Sequence, residues 1–250
     1  MSACDSTPLL LALPPAGVGP SLFRGWARPG RSMNIHPVAL PGREARFNDP
    51  LPASLDALAD QMAQELQARL TGRYAIFGYS MGALLGYEIA RRWVRWGLPG
   101  PDMLFVLGCN APDRMVLDRE PFHTLSPHDF QRILADLGGI HMDILNNPEA
   151  MAVFEPILRN DFRICEVYQH DTSGDRLDCP AHVFLANADA FVQREAACAW
   201  SEFITGTTMM HTVEGRHMIA KSVFDALPDT LERLWLHTRT PPNVAAMPAC

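Results

Sequence analysis

The chain has 250 residues, 48% hydrophobic and 20% charged, enough for an ample core in an ordinary globular protein. Net charge is −7 without a basic block, which argues against a nucleic-acid partner. Six cysteines, at 4, 109, 165, 179, 198 and 250, show no Cys-x-x-Cys spacing and no nearby histidine pair, so neither a zinc site nor a disulfide framework is expected. The longest N-terminal apolar stretch, Pro8 to Ala16, is too short and too proline-rich to span a membrane. With no secretory signal evident, a soluble cytoplasmic protein is the expectation.

Leu9 to Leu13 is a fully apolar run, the pattern of a strand buried in a parallel sheet. It breaks into Pro14-Pro15-Ala16-Gly17-Val18-Gly19-Pro20, a stiff loop. Ile35 to Leu40 is a second strand candidate, closed by Pro41-Gly42. Ser54 then reads as a helix N-cap, followed at helical spacing by Leu55, Leu58, Met62, Leu66 and Leu70, with Gly72 as the stop. Tyr74 to Phe77 is a short apolar strand, Ala83 to Trp96 a long helix, and Met103 to Leu107 another buried strand.

After Cys109 the alternation stops. Between Pro112 and Tyr168 only helical pieces are expected: Ser126 to Leu137, Pro148 to Phe154, and Pro156 to Val167. A helical insertion of that size between two strands, about residues 112–170, reads as a lid over an active site, with a second packing layer that gates nothing as the alternative. Strands resume at Ala181 to Leu185 and Met209 to Val213, and a helix from Ser222 to Trp235 closes the fold. The rhythm predicts an α/β fold with a mostly parallel sheet flanked by helices, one domain over 1–239, and a disordered tail over 240–250.

Between the third strand and its helix lies Gly78-Tyr79-Ser80-Met81-Gly82, a Gly-x-Ser-x-Gly sequence in the strand–turn–helix setting of a nucleophile elbow. Glycines on either side remove Cβ collisions at a sharp turn, which lifts the Ser80 hydroxyl out of the sheet. The Met81 amide, at a helix N-terminus, is placed to stabilise an oxyanion. A serine needs a base, and in this arrangement the partners follow in the order serine, acid, histidine on strand-end loops. Of the nine histidines, only His211, His217 and His237 lie beyond the strand at 181–185. His211 is inside the last strand and His237 ends the last helix, which leaves His217 as the general base. Asp189, four residues past Leu185, is the candidate acid, with Glu214 as the substitute. Asp178 precedes its strand and falls at the wrong end of the sheet. Pro14 and Pro15 have no N–H, so Ala16 is the first amide able to serve as the second oxyanion donor.

These pieces resemble the type II, stand-alone thioesterases that accompany nonribosomal peptide and polyketide synthases, members of the α/β-hydrolase superfamily. Leu13-Pro14-Pro15-Ala16-Gly17 resembles the family's Pro-His-Ala-Gly-Gly loop. Leu40-Pro41-Gly42-Arg43-Glu44 matches its Leu-Pro-Gly-Arg-Glu signature. Leu137-Gly138-Gly139-Ile140, Asn147-Pro148-Glu149 and Pro156 to Phe162 resemble its lid sequence. Tyr79 and Pro15 stand where the family commonly has histidine. Arg216 and the residues around Asp189 also depart from its usual pattern.

The resemblance implies an α/β-hydrolase that removes acyl groups from the phosphopantetheine arm of acyl or peptidyl carrier domains. It implies a Ser80–His217–Asp189 triad, Met81 and Ala16 as the oxyanion hole, no cofactor, and transient carrier docking near the lid; a monomer is the expected state. A small-molecule carboxylesterase or lipase, a hydrolase-shaped binding protein with a dead site, and acyl transfer to another acceptor are the alternatives.

Overall fold

The computed structural model describes residues 7–115, 119–140, 142–172 and 176–237. Six strands form one sheet: β1 (Leu9–Leu13), β2 (Asn34–Pro37), β3 (Tyr74–Tyr79), β4 (Leu104–Leu107), β5 (Ala181–Ala186) and β6 (Thr208–Val213). Their order is β2-β1-β3-β4-β5-β6 and every neighbouring pair is parallel. The chain steps from β1 outward to β2 and returns to β3 on the other side. Strand order therefore reverses at β1, and the loops after β1 and β3 diverge around a crevice.

The period of two in the strands feeds two cores. Leu11, Leu13, Ile76, Leu104, Val106 and Val183 pack with α1 (Leu55–Leu66) and α2 (Met81–Arg95) on one face. Leu10, Ala12, Phe77, Phe105 and Phe184 face the other way, onto Phe23 and Trp26 and onto Phe224 and Leu231 of the last helix. Both faces are covered, which explains why the strands read as unbroken apolar runs. Ser54 caps α1 as expected, its side chain accepting the Ala57 amide at 3.0 Å.

The insertion expected as a lid comprises α3 (Pro127–Leu137), α4 (Met142–Leu145) and α5 (Pro148–Glu166), with no strand among the described residues from 112 to 172. It has its own small core of Phe122, Phe130, Leu134, Leu137, Leu145, Met151 and Leu158. The two helices expected at 148–154 and 156–167 are one. Pro156 lies inside α5, where a missing N–H removes a single backbone bond without ending the helix. A short α6 (Arg194–Cys198) and α7 (Lys221–His237) complete the chain.

The second strand ends at Pro37 rather than Leu40, and the helix begun at Leu55 gives way at Gln67 to one 3₁₀ turn. Cys109, Cys165 and Cys179 are free, and Cys198 is disulfide-bonded. The tail at 240–250 lies outside the described residues. No helix of the described residues is long and apolar enough to cross a membrane.

Candidate active site

Ser80 sits between β3 and α2 at φ 51°, ψ −119°, a region L-residues rarely adopt. Its amide donates to Leu107 O at 2.8 Å, which ties the turn to β4. The flanking glycines are obligatory. A Cβ at Gly78 would lie 2.2 Å from Ala83 Cα, and one at Gly82 would lie 2.4 Å from Leu13 O. Both obstacles are backbone and cannot swing away.

His217 follows β6 in the loop 214–220 and is buried. Its Nε2 lies 3.0 Å from Ser80 Oγ and its Nδ1 lies 2.9 Å from Asp189 Oδ2. Asp189 follows β5. Its other oxygen accepts the Phe191 and Val192 amides at 2.8 and 3.1 Å, and its side chain is wholly shielded from solvent. A carboxylate so held presents one oxygen to Nδ1–H, which leaves Nε2 as the acceptor facing the serine. Serine, histidine and aspartate thus meet at the carboxyl ends of β3, β6 and β5. Glu214 is exposed and borders a separate surface cleft shared with His211. His211 pairs with His182 at 2.8 Å, and Asp178 bonds Thr205 Oγ1 at 2.6 Å.

Ala16 and Met81 flank the same cavity as Ser80 and His217. Neither amide donates a hydrogen bond to another described group, whereas the next amide, Gly17, is already taken by Asp161 Oδ2 at 2.7 Å. Two free donors beside an activated hydroxyl can hold a developing oxyanion. Two cavities adjoin at Ser80. One, of about 170 Å³, runs under the lid past Leu134, Ile140, Met151 and Leu158. The other, of about 90 Å³, reaches toward Asn110, Arg119 and Glu166. Cys109 and Cys165 line the second one, and burial pushes both thiols up, Cys109 to about 12, so both stay protonated thiols at neutral pH.

Tyr79 is the residue that sequence reasoning passed over, noting only that it replaces histidine. Its hydroxyl donates to His217 O at 2.5 Å and accepts the Ile219 amide at 2.9 Å, pinning the histidine loop on both sides. Burial pushes the phenol up, so it stays protonated as that donation requires. No cluster of three or more His, Cys, Asp or Glu side chains able to hold a metal occurs among the described residues.

The chain matches the thioesterase domain family over residues 8–235. It is 31% identical over 195 residues to the gramicidin S biosynthesis protein GrsT of Aneurinibacillus migulanus, covering 77% of this chain and 75% of that one. The solved structure of RedJ, a thioesterase of the prodiginine pathway in Streptomyces coelicolor, superposes with a TM-score of 0.82 at 36% identity, over 93% of this chain and 95% of RedJ. YbtT, a type II thioesterase of the yersiniabactin NRPS/PKS pathway, superposes at 0.83 with 27% identity, over 96% and 97% of the two chains. Together with the elbow and the parallel sheet, these matches place the chain in the thioesterase family, as an α/β-hydrolase akin to the type II enzymes.

Proposed function

We propose that the chain clears acyl groups from the phosphopantetheine arm of acyl or peptidyl carrier domains, with Ser80 as nucleophile, His217 as general base and Asp189 as its orienting acid. The observation that carries this reading is the unbroken relay Asp189–His217–Ser80, at 2.9 and 3.0 Å, beside two undonated amides. His217 Nε2 takes the Ser80 proton as Oγ attacks the thioester carbonyl. The Met81 and Ala16 amides receive the oxyanion, and the tetrahedral adduct collapses by breaking the C–S bond. His217 gives its proton to the departing thiolate. A water deprotonated by His217 then attacks the acyl-serine, releasing the acid and restoring Ser80.

Relatives from assembly-line pathways favour carrier-bound substrates over free esters. One chain carries the whole relay, so a monomer suffices. Engagement is transient because each carrier is released once cleared, and the reaction belongs in the cytoplasm. Residues 1–239 act as one domain, with the helical insertion at about 112–170 as its lid. Intact-mass spectrometry of the protein mixed with a short acyl-pantetheine tests the chemistry. The expected result is a transient acyl adduct on Ser80, thiol release, and neither in Ser80→Ala. Thiol release that persists in Ser80→Ala, or no adduct and no release in the wild type, overturns the reading.

A further inference from the structure

The Pro41-Gly42-Arg43-Glu44 stretch carries much of the family likeness, yet none of its residues lines the cavities at Ser80. Its two charged side chains turn elsewhere, Arg43 to the carboxylate of Asp161 in α5 and Glu44 to Ser21, just beyond the loop after β1. The Arg43 guanidinium meets Asp161 of α5 as a two-pronged pair, Nη1 to Oδ2 at 2.6 Å and Nη2 to Oδ1 at 3.0 Å. The arginine is 4% exposed and the carboxylate 0%. Arg43 Nε donates to Pro41 O at 3.1 Å, so the fork is fixed on its own side as well. The Asp161 oxygen that receives Nη1 also receives the Gly17 amide. Glu44, next along the chain, accepts Ser21 N at 3.2 Å and Ser21 Oγ at 2.5 Å. The chain after β1 is therefore gripped at 17 and at 21.

A buried ion pair is a poor device for stability alone, since apolar side chains of similar volume commonly serve as well. Glu44 moreover holds φ +47°, a conformation that costs energy in any residue but glycine. What the arrangement does is local. The Ala16 N–H lies in the Pro15–Ala16 peptide plane, whose carbonyl accepts the Val18 amide at 3.2 Å, and Asp161 fixes the adjoining Ala16–Gly17 plane, so both planes that meet at Ala16 Cα are held. Gly17 itself lies against α5, where a Cβ would come 2.2 Å from Leu158 Cδ2.

We propose that Arg43, Glu44 and Asp161 are positioning residues for the reaction, a clamp that sets the Ala16 amide for the oxyanion and joins the lid helix α5 to that loop. The proposal rests on the roles given above to Ser80 and Ala16. It assigns the two most specific sequence likenesses, one in the core and one in the lid, to a single structural task.

The test compares wild type with two double variants. R43M/D161L removes both charges together, so no lone charge stays buried, and leaves Gly17 without its acceptor. R43Q/D161N also removes both charges but keeps an amide oxygen at 161 for Gly17. For each, the melting temperature, kcat and KM on an acyl-pantetheine, and the Ki of an alkylboronic acid are measured. The boronate forms a tetrahedral adduct on Ser80 and so reports the oxyanion hole rather than ground-state binding.

The expected loss of kcat in R43M/D161L is about 10- to 100-fold, with KM within about threefold and boronate Ki raised in step. R43Q/D161N is expected to regain about tenfold of it. If R43M/D161L does not fold, Glu44→Ala, which frees only Ser21, is expected to lower kcat and boronate affinity together by about threefold or more. A merely structural pair would lower the melting temperature while leaving kcat and boronate affinity at wild-type values, and that result overturns the clamp. Wild type that fails to turn over the thioester at all would sink the proposed function, and the clamp with it, a result distinct from active variants.

Discussion

Asp189 spends one carboxylate oxygen on two backbone amides and offers the other to His217 Nδ1 alone. Asparagine in its place keeps the shape but can turn an N–H toward the ring, which favours the wrong tautomer. Asp189→Asn is expected to lower kcat/KM by about 10²- to 10⁴-fold, Ser80→Ala and His217→Ala by about 10³-fold or more, and Glu214→Gln not at all. Thiol-release kinetics decide this, and a wild-type rate in Asp189→Asn would refute the acid assignment. Tyr79→Phe removes both pins on the histidine loop. It strands the buried His217 carbonyl and Ile219 amide, so a destabilisation of about 1–3 kcal/mol is expected in urea unfolding. Ser80, Asp189 and His217 were legible because each sits just past a strand whose apolar run marks its end. Tyr79 was not, because its partners lie 138 and 140 residues away and nothing in its own neighbourhood announces them.

Among the elements, the buried strands and α2 were legible to within a few residues, since runs such as Leu9–Leu13 need both faces covered. Pro156 misled because proline was read as a helix end, whereas inside α5 it removes one backbone bond and the helix runs on through it. The second strand was overextended because the apolar run continues through Val38 and Leu40, both buried, although the ladder ends at Pro37. Gly82→Ala tests the elbow as an element. Its Cβ would drive into Leu13 O and Pro14 O, and a loss of more than about 3 kcal/mol, or insoluble protein, is expected. Normal stability would mean that the turn is looser than its geometry.

Within the lid, α5 is tied to the core by Asp161 and by Asn160 and Arg163, which donate to Pro52 O and Ala53 O. Among the described residues, α3 meets the core through the Met218 amide, which donates to Leu137 O at 3.2 Å. Hydrogen exchange is expected to be fastest in α3 and α4, with the amides around Asp161 as slow as those of β3. Exchange in step from α3 through α5 would show that the lid opens as one piece.

At the scale of the whole molecule, His182 couples the fold to acid. Burial, aided by His211, lowers it to about 4 in a stacked position on Phe105. An unfolded histidine takes its proton near pH 6.5, so between 6.5 and 4 the unfolded state binds more protons and stability falls as pH falls. The slope approaches about 1.4 kcal/mol per pH unit over that window. Urea midpoints of His182→Asn should show a shallower fall over the same range, and an unchanged slope would contradict the assignment.

The substrate is the least legible layer, since a triad does not distinguish ester from thioester or carrier from free acyl-pantetheine. Contacts remote from the reacting bond do, because they lend binding energy that truncated substrates forfeit. One acyl group presented on a carrier domain, on pantetheine and as an aryl ester, in side-by-side kcat/KM measurements, is the most direct test of the proposed function. The expected order is carrier, pantetheine, aryl ester, with at least about a tenfold step between the first two, equivalent to roughly 1.4 kcal/mol of docking energy. Equal kcat/KM on the carrier and the aryl ester would contradict a carrier-clearing thioesterase and point to a general esterase.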